Sequence, residues 1–386
     1  MPTTPDLPIP VGATAPPPPA TRARMVLGRP FTLGTLTLPN RVVMASMTRE
    51  HSPGGVPGPD VARYYARRAE GGVGLIITEG TYVGHPSAGG SDRVPHVYGE
   101  EALRGWAAVT DAVHAEGGRI VSQLWHLGMD RKPGSGPVPS APVVGPSGIA
   151  VDGSASGLAM TTADIDAVIA AYAEGAANAR AAGFDGIEVH AAHGYLIDQF
   201  LWSHTNRRTD RYGGDLASRA RLAVEIVEAC RAAVPADFPV LLRISQWKMG
   251  AFDARLAGDP RELDTLLAPL AAAGVDAFHC STRRFHPPEF EGSDLNLAGW
   301  AKKLTGKPAI SVGSVGLDNE FIPALHGQRG RVTHIDGLLD RMERDEFDLI
   351  AVGRALLGDP TWLRKVVEGR VDELRPFQRE SLASLV

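Results

Sequence analysis

The sequence predicts an α/β fold: a single (β/α)8 TIM barrel with an N-terminal β-hairpin as its cap and an extended loop after the third strand. Three observations predict it. Eight short apolar runs recur along the chain, most are followed by an Ala-rich stretch, and no G-x-G-x-x-G occurs anywhere. Continuous apolar runs, rather than alternating ones, suit parallel strands buried on both faces. Strand–helix units in series give a barrel or an open doubly wound sheet, and the open sheet is expected to carry a glycine-rich dinucleotide turn.

The chain opens with "MPTTPDLPIPVGATAPPPPATRAR". Its prolines favour an extended, solvated tail over residues 1–24, leaving 25–386 as one barrel domain. Phe31–Asn40 alternates apolar and polar residues around Gly34, as a small hairpin would. The strand candidates are Arg41–Ser46, Val73–Thr78, Arg119–Leu124, Phe184–His190, Pro239–Ser245, Asp276–Ser281, Pro308–Gly313 and Phe347–Gly353. Helices are expected over 59–70, 101–116, 162–183, 216–233, 260–274, 295–304 and 355–369. Thr162, Asp164 and Asp166 give one of them a capped, dipole-favoured start, and Gly183 closes it. Trp125–Thr161, rich in Gly, Pro and Ser, is too long for a plain connection and reads as a functional loop on the active-site face.

Composition narrows the function. A net charge of −5 with no basic stripe argues against nucleic-acid or membrane-surface partners. No run of about 18 apolar residues exists to span a bilayer, and the N-terminus lacks the apolar core of a secretory signal. Cys230 and Cys280 are the two cysteines. They cannot form a disulfide framework or hold an iron–sulfur cluster, and a reducing cytoplasm is the expected location.

In such barrels the active site collects side chains at the C-terminal ends of the strands. That rule selects Ser46–Met47–Thr48, Thr78–Glu79–Gly80–Thr81, Gln123–Leu124–Trp125–His126, then Arg243, Ser245 and Trp247. Gly313–Ser314 and Gly353–Arg354 end strands seven and eight, where glycine amides and a cation commonly hold a phosphate. Strand four delivers "HAAHGY", His190 to Tyr195. A zinc reading needs a third ligand; Glu188 and Asp198 are available but do not fall at strand ends, and no helical H-E-x-x-H occurs. A satisfied core pair is a second reading. In the third, two imidazole N–H groups converge on one oxygen and stabilise negative charge there, while the Tyr195 phenol donates a proton as a general acid.

From Phe31 to about Gly369 the chain resembles the old yellow enzyme family of FMN-dependent ene-reductases. The most specific stretch is "HAAHGYLIDQFLWSHTNRRTDRYGG", His190–Gly214, supported by "NRVVMASMTR", "ITEGTYV", "QLWHLG", "LLRIS", "SVGSV" and "AVGRALLGDP" in that order. The resemblance implies FMN across the barrel mouth, its phosphate at Gly313, Ser314, Gly353 and Arg354. It places Gln123 and Arg243 at the pyrimidine end and Ser46, Met47, Thr48 and Gly80 along the ring edge. It makes His190 and His193 the grip on a substrate carbonyl or nitro oxygen and Tyr195 the proton donor, with NAD(P)H as transient hydride donor. The substrate is then a small activated alkene, walled by Tyr82, Trp125, Trp247 and Phe285. The family often has proline where Ser46 stands, and histidine or asparagine at 193. A homo-oligomer is left open. A flavin-dependent demethylase or dehydrogenase, a metal-dependent barrel hydrolase and a flavin-binding protein without turnover stand as rival readings.

Overall fold

The computed structural model describes residues 18–320, 323–324 and 326–385. β1 (Phe31–Leu33) and β2 (Leu36–Leu38) form an antiparallel hairpin. β3 (Val42–Met44), β4 (Leu75–Tyr82) and β5 (Ile120–Trp125) begin the barrel. The loop after β5 carries a short ribbon of β6 (Val144–Gly145) and β7 (Leu158–Ala159). Then come β8 (Gly186–His193), β9 (Val240–Lys248), β10 (Ala277–Ser281), β11 (Ala309–Val312) and β12 (Leu349–Val352). The eight barrel strands pair in parallel, each with the next, and β12 closes on β3. Every expected barrel strand is present.

The barrel has one plugged end and one open end. Leu33 and Leu38 of the hairpin are fully buried against inward-facing Leu75, Val121, Leu241 and Leu349. Apolar burial on that scale, at about 25 cal/mol per Å², seals the N-terminal end and leaves the C-terminal end to carry polar groups. Two irregularities shape that open end: the β4–β5 register shifts between Ile77 and Gly80, and the β8–β9 register between Ala191 and His193. Bulges of this kind re-aim side chains beside active sites.

Helices occupy Pro59–Glu70, Glu100–Ala115, Thr162–Ala181, Leu216–Ala233, Pro260–Ala273 and Leu297–Thr305, close to expectation. The structure corrects the rest. Thr161, not Thr162, caps its helix: its Oγ1 accepts from Asp164 N at 3.2 Å, and Asp164 accepts from Thr161 N at 2.7 Å in a reciprocal capping box. The last expected helix splits into Arg354–Gly358 and Trp362–Glu368. Pro360 disfavours a helical conformation in the residue before it, and Asp359 is extended there, at φ −141°.

Residues 1–17 of the expected tail lie outside the described residues, but Pro19–Leu27 is a helix rather than extended chain. Proline is tolerated in a first helical turn. Ala23, Val26 and Leu27 are buried, and the Leu27 carbonyl accepts from Arg41 N at 2.8 Å. Helices Leu196–Leu201 and Asp336–Glu343 were also not foreseen. No helix among the described residues is long and apolar enough to cross a membrane.

Candidate active site

A cavity of about 520 Å³ opens at the C-terminal end of the barrel. Side chains or backbone of Ser46, Met47, Thr48, Gly80, Gln123, Trp125, His190, His193, Tyr195, Arg243, Trp247, Gly313, Ser314, Gly353 and Arg354 all line it. Residues scattered over three hundred positions of sequence therefore share one wall, because parallel strands bring all their C-terminal ends to one face.

Two expected walls do not line the cavity. Tyr82 is 2% exposed and stacks behind Trp125 at 5.3 Å, its hydroxyl accepting from Gly90 N at 3.1 Å. Tyr82 follows the β4–β5 register shift and packs against Trp125, so it props the wall instead of forming it. Phe285 packs against the core, and its main chain does the site's work: its N–H donates to the Gly313 carbonyl at 3.1 Å.

The floor is a buried polar chain. Ser46 Oγ donates to Gln123 Oε1 at 2.7 Å, and Gln123 Nε2 donates to Glu188 Oε1 at 2.6 Å. The other Glu188 oxygen accepts from His279 Nδ1 at 2.6 Å, with both side chains fully buried. Burial alone would raise the Glu188 carboxyl, yet His279, Arg243 and Gln123 hold it below its ordinary value. Burial lowers His279, which is a neutral donor to the carboxylate. Arg243 is 7% exposed, and its Nε has no hydrogen-bond partner among the described residues. A buried guanidinium with a free N–H at a cavity floor suits an electron-rich ring edge.

The strand-four cluster stands over this floor. His193 sits at φ +67°, in the bulge of β8, where left-handed backbone is uncommon for a non-glycine residue. Short contacts hold it there. Its N–H donates to Ser245 Oγ at 2.9 Å, and the Ser245 hydroxyl donates to the Trp247 carbonyl at 2.7 Å. Behind the turn, Asp198 accepts from Gly194 N at 2.6 Å, and Lys248 Nζ lies 2.9 Å from its other oxygen. Both side chains of this ion pair are fully buried. Burial pushes the Asp198 carboxyl up to about 6 and lowers the Lys248 ammonium, each against the pull of the other.

His190, His193 and Tyr195 meet edge-to-face, with ring centroids 5.1 Å apart for the two imidazoles and 5.0 Å for His190 and Tyr195. Trp125 and Trp247 flank them at 4.9 Å from Tyr195 and 4.5 Å from His193. Burial, and then the Arg243 charge, hold both imidazoles well below their ordinary value, so they are neutral near pH 7. Burial, with the Asp130 carboxyl nearby, pushes the Tyr195 phenol up, so it keeps its proton. Glu188 and Asp198, the third-ligand candidates of the zinc reading, are committed to His279 and Gln123 and to Lys248 and Gly194.

The opposite wall is cationic. A Cβ on Gly313 would lie 2.7 Å from the Phe285 nitrogen, so the close backbone approach requires glycine. Ser314 has φ +47°. Arg354 also ties down the loop after β11: its terminal nitrogens donate to Asn319 Oδ1 (2.8 Å), Asn319 O (2.7 Å), Glu320 O (3.0 Å) and Ser314 Oγ (3.0 Å). Burial and nearby Arg284 lower this guanidinium to about 10, so it stays cationic. Arg283 and Arg284 pair with Glu320.

Sequence reasoning missed Ser281, Arg283, Phe252 and Leu382, all of which line the cavity. Ser281 ends β10, so the strand-end rule reaches it once strand six is included. Leu382 has no such signal. It is brought in by Arg49, whose guanidinium donates to the carbonyls of Ser381 (2.9 Å) and Ser384 (2.7 Å).

A model of the NADH:flavin oxidoreductase / NADH oxidase family matches residues 27–320. The chain belongs to that family. It is 33% identical over 376 residues to the flavin oxidoreductase hxnT of Emericella nidulans, covering 91% of this chain and 92% of that protein. It is 41% identical over 243 residues to 12-oxophytodienoate reductase 7 of rice, 60% of this chain and 61% of the relative. A third relative, an NADH oxidase of Thermoanaerobacter brockii, is 33% identical over 89% of this chain, which spans 51% of it. Among solved structures, morphinone reductase in complex with tetrahydroNAD superposes with a TM-score of 0.76 at 29% identity, over 92% of this chain and 93% of that one. The old yellow enzyme homologue of Zymomonas mobilis gives 0.75 at 26%, over 92% and 96%. The chain is thus an old yellow enzyme family member, in a family of FMN-dependent oxidoreductases.

Proposed function

We propose that the protein reduces activated C=C bonds of small α,β-unsaturated carbonyl or nitro compounds at the expense of NAD(P)H. FMN, when bound, supplies the carrier that accepts hydride from the nicotinamide and returns it from N5 to the substrate β-carbon. Its phosphate would be held by Gly313, Ser314, Gly353 and Arg354. Its pyrimidine end would meet Gln123 and the free Arg243 Nε–H, and its ring edge would run past Ser46, Met47, Thr48 and Gly80. The donor set suits that group: a cation where reduced flavin is negative, and an arginine with main-chain amides beside it where the phosphate would lie.

The chain's own side chains do the rest. His190 and His193 take the substrate oxygen and stabilise the charge that develops on it as the double bond is saturated. Both are neutral, so they act as hydrogen-bond donors and do not protonate it. Tyr195 delivers the proton to the α-carbon, and its raised pKa keeps that proton available across the neutral range. Trp125 and Trp247 flank these groups with apolar rings. The observation that carries this reading is the convergence of two neutral imidazoles and one protonated phenol on a single cavity that Arg243 also lines.

The test is NADPH oxidation by the FMN-loaded protein in the absence of oxygen. Consumption with 2-cyclohexenone and none with cyclohexanone is expected; equal consumption with both would contradict it.

A further inference from the structure

The two imidazoles have their protons placed differently. The Ala192 N–H donates to His190 Nδ1 at 3.3 Å, so the ring proton of His190 lies on Nε2. His193 has no backbone contact of that kind. Its Nε2 lies 2.8 Å from Ser281 Oγ, and a hydroxyl can either donate or accept.

What decides the sense is what else Ser281 touches. Its Oγ has no other hydrogen-bond partner among the described residues, the residue is 4% exposed, and its carbonyl is taken by Trp247 Nε1 at 3.1 Å. Were the proton on Nε2, Ser281 would accept it and leave its own O–H without a protein acceptor. Were Ser281 the donor, the groups left without a protein partner are a Ser281 lone pair and the His193 Nδ1–H, which belongs to a ring that lines the cavity, where solvent or a ligand can accept it. An unmade buried donor is the costlier outcome. Donation leaves the ring proton on Nδ1, the His193 atom that has no hydrogen-bond partner among the described residues, in a ring that lines the cavity.

We propose that Ser281 is a positioning residue for His193: its hydroxyl donates to Nε2, fixes the Nδ1–H tautomer, and so makes the ring a second donor toward an oxygen in the cavity. The proposal deepens the clamp reading above and rests on it. The surroundings agree. Burial and the charges of Arg243 and Lys248 keep His193 from taking a second proton, so the tautomer decides what the ring offers. Ser245 holds the backbone of the same residue, which leaves ring orientation to Ser281.

The test is ¹⁵N NMR of the FMN-loaded protein labelled at histidine, with His193 assigned by its loss in His193→Asn. Wild type is expected to show His193 protonated on Nδ1, Ser281→Ala to move it to a mixture or to Nε2–H, and Ser281→Thr to restore it. In parallel, 4-hydroxybenzaldehyde is expected to bind about tenfold more weakly to Ser281→Ala, as one hydrogen bond to an anionic oxygen predicts, and normally to Ser281→Thr. An Nε2–H tautomer in wild type, or one unchanged in Ser281→Ala, overturns the proposal; the wild-type spectrum decides even if a variant fails to fold. Phenol binding unaffected by His190→Ala with His193→Ala would instead remove the clamp, leaving the tautomer assignment standing.

Discussion

The two sides of the cavity are built on different principles. On the β8–β9–β10 side each functional group is anchored from behind and free in front: His193 by Ser245 and Ser281, and Gly194 by the Asp198–Lys248 pair. On the β11–β12 side the polar groups are turned on one another, Arg354 onto Ser314, Asn319 and Glu320, and Arg283 and Arg284 onto Glu320. The difference follows from what each side would hold. Charge that develops during a reaction is best met by donors that need no rearrangement. A resident phosphate is present throughout, so its cations need only acceptors that it can replace.

The largest effect expected is on the anchored side. Tyr195→Phe removes the proton donor and should lower alkene turnover about 10²- to 10⁴-fold. Flavin reduction by NADPH, followed by stopped-flow absorbance, should be unchanged. Equal loss in both half-reactions would mean that Tyr195 shapes the site and does not protonate. Next in size, Asp198→Asn leaves the Lys248 ammonium buried without its counter-ion, which typically costs about 3–5 kcal/mol. Thermal unfolding should show it, and an unaltered midpoint would remove the ion pair from the anchoring account.

A buried carboxyl of β4, outside the cavity lining, is sensitive to pH. Glu79 is 1% exposed, accepts the N–H groups of Arg49 (2.8 Å) and Glu50 (3.0 Å), and is raised by burial to about 7. The fold therefore favours its protonated form, and stability falls as pH climbs from the unfolded value near 4.5 to about 7. Glu79→Gln should gain on wild type across that window, by up to about 3 kcal/mol. Parallel stability curves from pH 5 to 8 would show that the carboxyl does not titrate there. The smallest effect belongs to the self-paired side. Arg354→Ala should weaken FMN binding about 10- to 100-fold, the value of a charged hydrogen bond, in a fluorescence titration of apoprotein. Wild-type affinity would mean that main-chain amides alone hold the phosphate.

Much of this was legible in the sequence because parallel strands turn linear order into one shared face. The eight apolar runs locate the strand ends, and the strand ends locate Gln123, His190, Arg243 and Gly313 without any contact information. Tyr82 was misplaced because a register shift leaves no trace in composition. The hold of Arg354 on Asn319 and Glu320 left no trace in the sequence, because those acceptors lie in a loop more than thirty residues away. The floor partner His279 sits inside a strand, where a buried polar residue in an apolar run points to a partner without naming it, and the anchor Lys248 ends β9, beyond the apolar run.

The imidazole pair acts as a clamp only where an anionic oxygen entering the cavity seats on it. A crystal structure of the FMN-loaded protein with 4-hydroxybenzaldehyde bound tests that directly. The phenol oxygen is expected about 3 Å from both His190 Nε2 and His193 Nδ1, with the Tyr195 hydroxyl over the ring. An oxygen seated on Arg283 or Arg354, with the imidazole pair untouched, would contradict it.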